Sequence, residues 1–137
     1  MPVSVPENPQ FLPQGVLVGT IEKEVDLSTA AASFPVGTRP ANSAIASIEI
    51  TLSGTISATT AVKFGLGNAG DPDAYYLSAG LTTASDVSKF LLDADTNSAA
   101  DPILISACDT NGAAAGTIGG AGQSIKARIT YLYLGGA

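Results

Sequence analysis

Ile125-Lys126-Ala127-Arg128-Ile129-Thr130-Tyr131-Leu132-Tyr133-Leu134 places Ile125, Ala127, Ile129, Tyr131 and Tyr133 on one face at a period of two, with Lys126, Arg128 and Thr130 on the other. That period belongs to a β-strand with one buried face. The second face starts charged and ends in Leu132 and Leu134, so the far end of this strand is expected to be covered on both sides.

The same pattern recurs upstream. Ile48, Ile50 and Leu52 alternate with Glu49, Thr51 and Ser53, and in the run Ile56 to Leu66, Val62 and Phe64 alternate with Ala61, Lys63 and Gly65. Gly54-Thr55 lies between these two runs and is expected to turn them into a hairpin. Val16 to Val25 reads as the first strand, and Tyr75 to Ser78, Lys89 to Leu92 and Ile103 to Cys108 as shorter ones. Leu27 to Asn42 holds Pro35, Gly37 and Pro40 and reads mostly as loop, with one helical turn expected at Leu27 to Ala32 after Asp26. No segment sustains an apolar stripe at helical spacing for three turns. Seven or eight short strands at spacings of roughly 8 to 15 residues give an all-β fold, an antiparallel β-sandwich of jelly-roll type, over residues 15–137.

Residues 1–14 are of another kind. Pro2, Pro6, Pro9 and Pro13 remove amide donors and hold the backbone near polyproline geometry, while Val3, Val5, Phe11 and Leu12 supply apolar anchors between them. The segment reads as an extended arm lying on a neighbour, with Pro6, Pro9, Phe11 and Leu12 as its contacts. The start Met1-Pro2-Val3-Ser4-Val5-Pro6 has neither a basic leader nor a long apolar core, so the chain is expected to be made and kept in the cytoplasm, or in something assembled there.

Composition narrows the chemistry. The 137 residues include no His, no Trp and one Cys, and Ala, Gly, Ser and Thr fill 63 positions. Without His, hydrolytic triads are excluded, and paired carboxylates of the glycosidase kind remain the main catalytic option. Charged residues are 13% of the chain, about half the usual share, which gives a surface of small neutral side chains that lose little entropy when covered. A net charge of −6, with six cations scattered from Lys23 to Arg128, leaves no basic stripe for nucleic acid. No apolar run approaches the ~18 residues that cross a bilayer. Cys108 lies in the apolar run from Ile103 and reads as a buried structural thiol.

Two motifs mimic ligand sites. Gly65-Leu66-Gly67-Asn68-Ala69-Gly70 is a full G-x-G-x-x-G, and Asp93 stands where a ribose-binding acid would be. The turn of a dinucleotide fold must open a helix, however, and Pro72, Gly80 and Thr82-Thr83 follow here; the reading is a Gly-rich loop with no cofactor. Asp93-Ala94-Asp95-Thr96-Asn97 matches the first half of a calcium loop, but Ser98 replaces the required Gly and Leu104 the bidentate Glu. Asp71, Asp73, Asp101 and Asp109 read likewise as turn residues, and no metal is expected. Tyr75-Tyr76, Tyr131 and Tyr133 could stack on sugars or plug the sandwich and line a subunit contact.

The stretch Val62-Lys63-Phe64-Gly65-Leu66-Gly67-Asn68-Ala69-Gly70-Asp71-Pro72-Asp73-Ala74-Tyr75-Tyr76 resembles β-sandwich domains of virion proteins from tailed phages and prophages, where a V-x-G-x-AGDPD-x-Y-like segment sits between strands and a terminal strand reads much like Ile125 to Leu134. The resemblance covers about half the chain and carries over no catalytic residues. It implies a capsid decoration (cement) protein or a fibre or tail domain, commonly trimeric. The proline-rich start departs from a long fibre, where a shaft would precede the head domain. The expectation is therefore a non-enzymatic cement protein of the virion, assembled in the host cytoplasm. Its partner would be the major capsid protein or another virion protein, and Tyr131, Tyr133 and Leu134 would pack a homo-oligomer, a trimer. The rivals are a tail-fibre or spike domain binding host-surface glycans and a small acidic hydrolase.

Overall fold

The computed structural model describes residues 17–81, 87–90 and 99–133. Ten strands follow in chain order: β1 (Leu17–Asp26), β2 (Ser33–Arg39), β3 (Ser43–Leu52), β4 (Ala58–Thr59), β5 (Lys63–Gly67), β6 (Tyr76–Leu77), β7 (Val87–Phe90), β8 (Asp101–Cys108), β9 (Thr117–Ile118) and β10 (Ser124–Tyr133). Every pairing is antiparallel, and no helix occurs among the described residues. The expected arm, residues 1–14, lies outside the described residues.

Two four-stranded sheets, β1-β10-β3-β7 and β2-β8-β5-β6, face each other, and β4 and β9 form a small ribbon. With the ribbon set aside, the pairs are nested: first strand with last in β1–β10, then β2–β8, β3–β7 and β5–β6. A chain folded on itself as one long hairpin and rolled so that successive pairs fall in alternate sheets has the winding of a jelly roll. That winding has a consequence for the connections: every second one emerges at the same end of the sandwich.

β10 is central because its alternation serves two neighbours. It pairs along its whole length with β1, from Leu17 opposite Tyr133 to Asp26 opposite Ser124, and on its other side with β3. Ile125, Ala127 and Ile129 are fully buried and meet Leu52, Ile50 and Ile48 in register. Between Ser47 and Ile45 the register shifts, leaving Ala46 as an extra residue of β3. The bulge moves β3 from even to odd positions, so Ile48 and Ile50 on one side of it and Ile45 and Ser43 on the other are all buried. The opposite sheet supplies Phe64, Leu66, Ile103 and Ile105, each at 0% exposure. Burial of one such side chain is worth roughly 1.5–3 kcal/mol, so the facing Ile, Leu and Phe side chains dominate cohesion.

Three local expectations are corrected. Ser33–Arg39 is a strand and not a loop: β2 is an edge strand paired only with β8, and its register shifts between Pro35 and Gly37, the setting in which a strand tolerates proline. Leu27 to Ala32 makes no helical turn, because its backbone bonds outward, Leu27 N–H to Gln123 O at 2.9 Å and Ala31 N–H to Ile118 O at 3.1 Å. The two runs joined by Gly54-Thr55 are not a hairpin, since β3 and β5 belong to different sheets. There the chain crosses the end of the sandwich, with Ile56 N–H bonded to Leu81 O at 2.8 Å.

Candidate assembly surfaces

The glycine motif solves a packing problem. Phe64 and Leu66 of β5 point into the core, so Gly65 and Gly67 face outward, and the segment Asn68 to Ala74 folds back over them. A methyl group at Gly65 would lie 2.5 Å from Pro72 O, and one at Gly67 would overlap Asp71 O and come within 2.7 Å of Ala74 N. Asn68 closes the turn: its Oδ1 accepts from Gly70 N–H at 3.0 Å and Asp71 N–H at 2.8 Å. The chain then proceeds to Tyr75 N–H bonded to Leu66 O and into β6. No helix opens after Gly70, so no ring of free amides is aimed at a phosphate.

The turn is tied to the rest of the sandwich by a polar cluster that sequence reading missed. Arg39, at 5% exposure, donates from Nη2 to Ser43 O at 2.5 Å, from Nε to Ser43 Oγ at 3.2 Å and from Nη1 to the Tyr75 hydroxyl at 3.3 Å. Its guanidinium carbon stands 5.5 Å from the centre of the Tyr75 ring. Tyr75 Oη–H donates to Asp101 Oδ2 at 3.2 Å, and Asn68 Nδ2 donates to the same oxygen at 3.0 Å. Arg39 and Asp101 are also register partners of β2 and β8. A buried cation with this many partners is a specific fastening, because leaving any of these groups unpaired would cost more than the bond returns.

Outside β5, Asp73 leans on the turn Asp109 to Ala113. A methyl group on Gly112, at φ +90°, would overlap the Asp73 carboxylate. Asp109 Oδ1 accepts from Asn111 N–H at 2.8 Å and Ala113 N–H at 3.0 Å. A hydrogen bond with Asp71, followed by partial desolvation and the Asp71 charge, holds the Asp73 carboxyl above the ordinary carboxylate value. Burial, and then the Asp73 and Asp109 charges, push the Cys108 thiol up, as expected of an inert core cysteine. Among the described residues no three His, Cys, Asp or Glu side chains are grouped to hold a metal. Asp93 to Asn97 lie outside the described residues.

Of the residues expected to make contacts, Pro6, Pro9, Phe11, Leu12 and Leu134 also lie outside the described residues. Tyr131 and Tyr133 occupy the core-facing register of β10 and are half-buried. The Tyr131 ring fills the space over Gly19 that a side chain would otherwise take, and it packs against the core cluster. Tyr75 and Tyr76 are buried as well, at 8% and 9% exposure.

The sheet margins are defended. Lys23 shares the inward face of edge strand β1 with Ile21 and Val25, opposite buried Ala127, and a charge at that position resists a further strand. On edge strand β2 the same protection comes from Pro35 and its bulge, and β6 is only two residues long. Lys89 of β7 stands in register with buried Ile48. The outer face of the β1-β10-β3-β7 sheet carries the remaining pairs, Arg128 Nη1 to Glu49 Oε2 at 3.5 Å and Lys126 Nζ to Glu22 Oε2 at 4.0 Å, all about half exposed and each worth well under ~1 kcal/mol.

Neither a protein-family model nor a curated protein matches the sequence. Solved structures do. The chain aligns with one in the Cyanophage Pam1 capsid asymmetric unit at 17% identity and a TM-score of 0.53, over 96% of this chain and 93% of that one. It aligns with one in the acid-stable capsid of Helicobacter pylori bacteriophage KHP30 at 10% identity and a TM-score of 0.56, over 84% and 86%. A third alignment, at 15% identity and a TM-score of 0.49 over 85% and 83%, is to a chain in the capsid of Ralstonia phage GP4. At these identities the likeness is one of fold: the chain is an all-β sandwich of a kind that occurs in phage capsid structures.

Proposed function

We propose that this chain is a non-enzymatic structural protein of a phage particle, a capsid decoration (cement) protein that bridges neighbouring capsid subunits. The observation that carries the reading is the alignment end to end with a chain of nearly equal length in the Pam1 capsid, so that a whole small chain and not one domain of a larger one is matched. The composition agrees with it. A chain of small neutral side chains without His offers surface and little chemistry. Three of the four tyrosines, Tyr75, Tyr76 and Tyr131, which would have to present flat faces to a glycan, are instead packed in or against the core.

In this role the proline-rich segment would lie across a neighbouring subunit through Pro6, Pro9, Phe11 and Leu12. The β10 end, with Tyr131, Tyr133 and Leu134, would pack a homo-oligomer, a trimer, and many weak contacts would add by avidity. The partner is the major capsid protein or another virion protein, and the location is the virion, assembled in the host cytoplasm. The test is the copy number of the chain, by quantitative mass spectrometry, in purified particles of the virus or prophage that carries its gene. Copies comparable to the number of shell subunits are expected. A handful per particle would point to a tail-fibre or spike domain, and absence from particles would overturn the reading.

A further inference from the structure

The outer face of the β1-β10-β3-β7 sheet changes character along its strands. Read across β1, β10 and β3, its rows run Glu24, Lys126 and Thr51, then Glu22, Arg128 and Glu49, then Thr20, Thr130 and Ser47, and finally Val18, Leu132 and Ala44. The charges stand toward one end and an apolar row closes the other. The outward face of an antiparallel sheet is ordinarily polar, so three apolar residues in register depart from the pattern of their own face. Val18 and Leu132 are half-buried, and Ala44 is 7% exposed. The bulge at Ala46 is what brings Ala44 onto this face: without it Ala44 would share the inward side with Ile48 and Ile50.

The chain enters the sheet at this same end. β1 starts at Leu17, one residue before the apolar row. The proline-rich residues 1–14 that precede it hold one charge, Glu7, and carry Val3, Val5, Phe11 and Leu12. Pro13 biases Leu12 to extended backbone, and at polyproline rise Phe11 and Leu12 come roughly 15–20 Å of chain before Leu17. An extended segment therefore carries its two largest anchors beyond the row of its own sheet and over a neighbour placed against this end. Residues 1–14 span up to about 40 Å, against a radius of gyration of about 14 Å for a domain of this length.

We infer that the apolar row Val18, Leu132 and Ala44 of one copy is the seat for Phe11 and Leu12 of a second copy. The occupant is this segment because of where it starts and what it carries. Each copy has an uncharged seat and, beginning beside it, a nearly uncharged arm whose apolar anchors lie past that seat. In a closed ring of copies every arm meets a seat and none is left over, a head-to-tail contact that ends with the ring. The inference rests on the proposed function and deepens it, since the arm and the β10 end become two halves of one interface.

The experiment is disulfide trapping between full-length chains. One chain carries Phe11→Cys, a second of distinguishable mass carries Leu132→Cys, and native Cys108 is buried and does not compete. Mixed with oxidised glutathione, they should form the disulfide between unlike chains at least about tenfold faster than Phe11→Cys does with Glu24→Cys, because docking raises the local thiol concentration at the seat. Glu24 lies among the charged rows of the same face. Light scattering over a concentration series should show self-association weakened at least about tenfold by Leu12→Glu, whose carboxylate must be desolvated on the row. Melting curves confirm that each variant is folded. Equal trapping rates at Leu132 and Glu24, or self-association unchanged by Leu12→Glu, overturns the inference. So does a disulfide closed within one chain when Phe11→Cys and Leu132→Cys are combined and diluted. Particles rich in the chain with no Phe11-to-Leu132 trapping overturn the seat alone; chains trapped in this way yet absent from particles overturn the virion reading alone.

Discussion

The glycines of G-x-G-x-x-G separate two explanations when they are replaced one at a time. If the motif exists to let the turn lie on β5, Gly65 and Gly67 are indispensable and Gly70 is not. The obstacles to a methyl group at Gly67 are backbone atoms, Asp71 O and Ala74 N, held in place by the Asn68 turn, so neither can swing aside as a flexible side chain would. Overpacking of this kind costs about 1–3 kcal/mol, and displacing the turn adds the loss of one or two hydrogen bonds at about 1 kcal/mol each. Gly67→Ala is thus expected to cost about 2–4 kcal/mol and Gly65→Ala a similar amount, a fall in melting temperature of roughly 6–16 °C for a chain of this size. Gly70 meets only Asn68 Oδ1, at 3.6 Å, and is not among the glycines with positive φ. Gly70→Ala should be neutral or stabilise by up to about 1 kcal/mol through the unfolded chain. Urea denaturation at fixed protein concentration measures all three. Equal damage at Gly67 and Gly70, or a tolerated Gly67→Ala, would refute the packing argument.

Arg39→Met keeps much of the apolar stem and removes the fastening; it should destabilise by about 3–5 kcal/mol, and a loss below about 1 kcal/mol by the same denaturation assay would show that Tyr75 and Asp101 hold the turn without it. Because the Asp73 carboxyl is raised, the folded chain binds more proton than the unfolded chain between the ordinary carboxylate pKa and the raised value, so this group lowers stability as pH rises through that window. Asp73→Asn should flatten that part of the stability-against-pH curve and raise the melting temperature at neutral pH, and an unchanged slope would remove Asp73 as its source. Cys108, at 0% exposure with its thiol pushed up by burial, should resist a thiol reagent in the native chain and react fully in urea; rapid native reaction would contradict the burial.

The legible parts of the fold are those where a strand's own residues settle the matter. β10 alternates throughout and its core is as read. β3 was recognised from Ile48, Ile50 and Leu52, but Ile45 stands three residues before Ile48, which breaks the period of two and was the visible sign of the bulge at Ala46. β2 was hidden because Pro35 and Gly37 argue against a strand, an argument that holds for central strands and fails at an edge. The turn at Gly54-Thr55 was real as a change of direction, yet nothing local says whether the next run returns to the same sheet or crosses to the other. The same limit hid the Arg39 cluster, whose members come from β2, the start of β3, the Asn68 turn and β8. No periodicity marks residues that meet only after the chain has rolled up.

The low charge content takes on a different meaning once the charges are placed. Read as composition, 13% charged residues suggest a uniformly bland surface of small neutral side chains. The structure sorts them instead: Lys23 occupies the core-facing register of an edge strand, Lys126 and Arg128 answer Glu22 and Glu49 on the outer face of one sheet, and Arg39 is spent inside. Strand edges are where an unguarded β-protein aggregates without limit, since each added chain presents a new edge. The ends of a sandwich offer no such propagation, because their backbone bonds are already closed among the loops. Charge placed at the margins and on the faces therefore opposes open, strand-by-strand addition even though the charged residues are few.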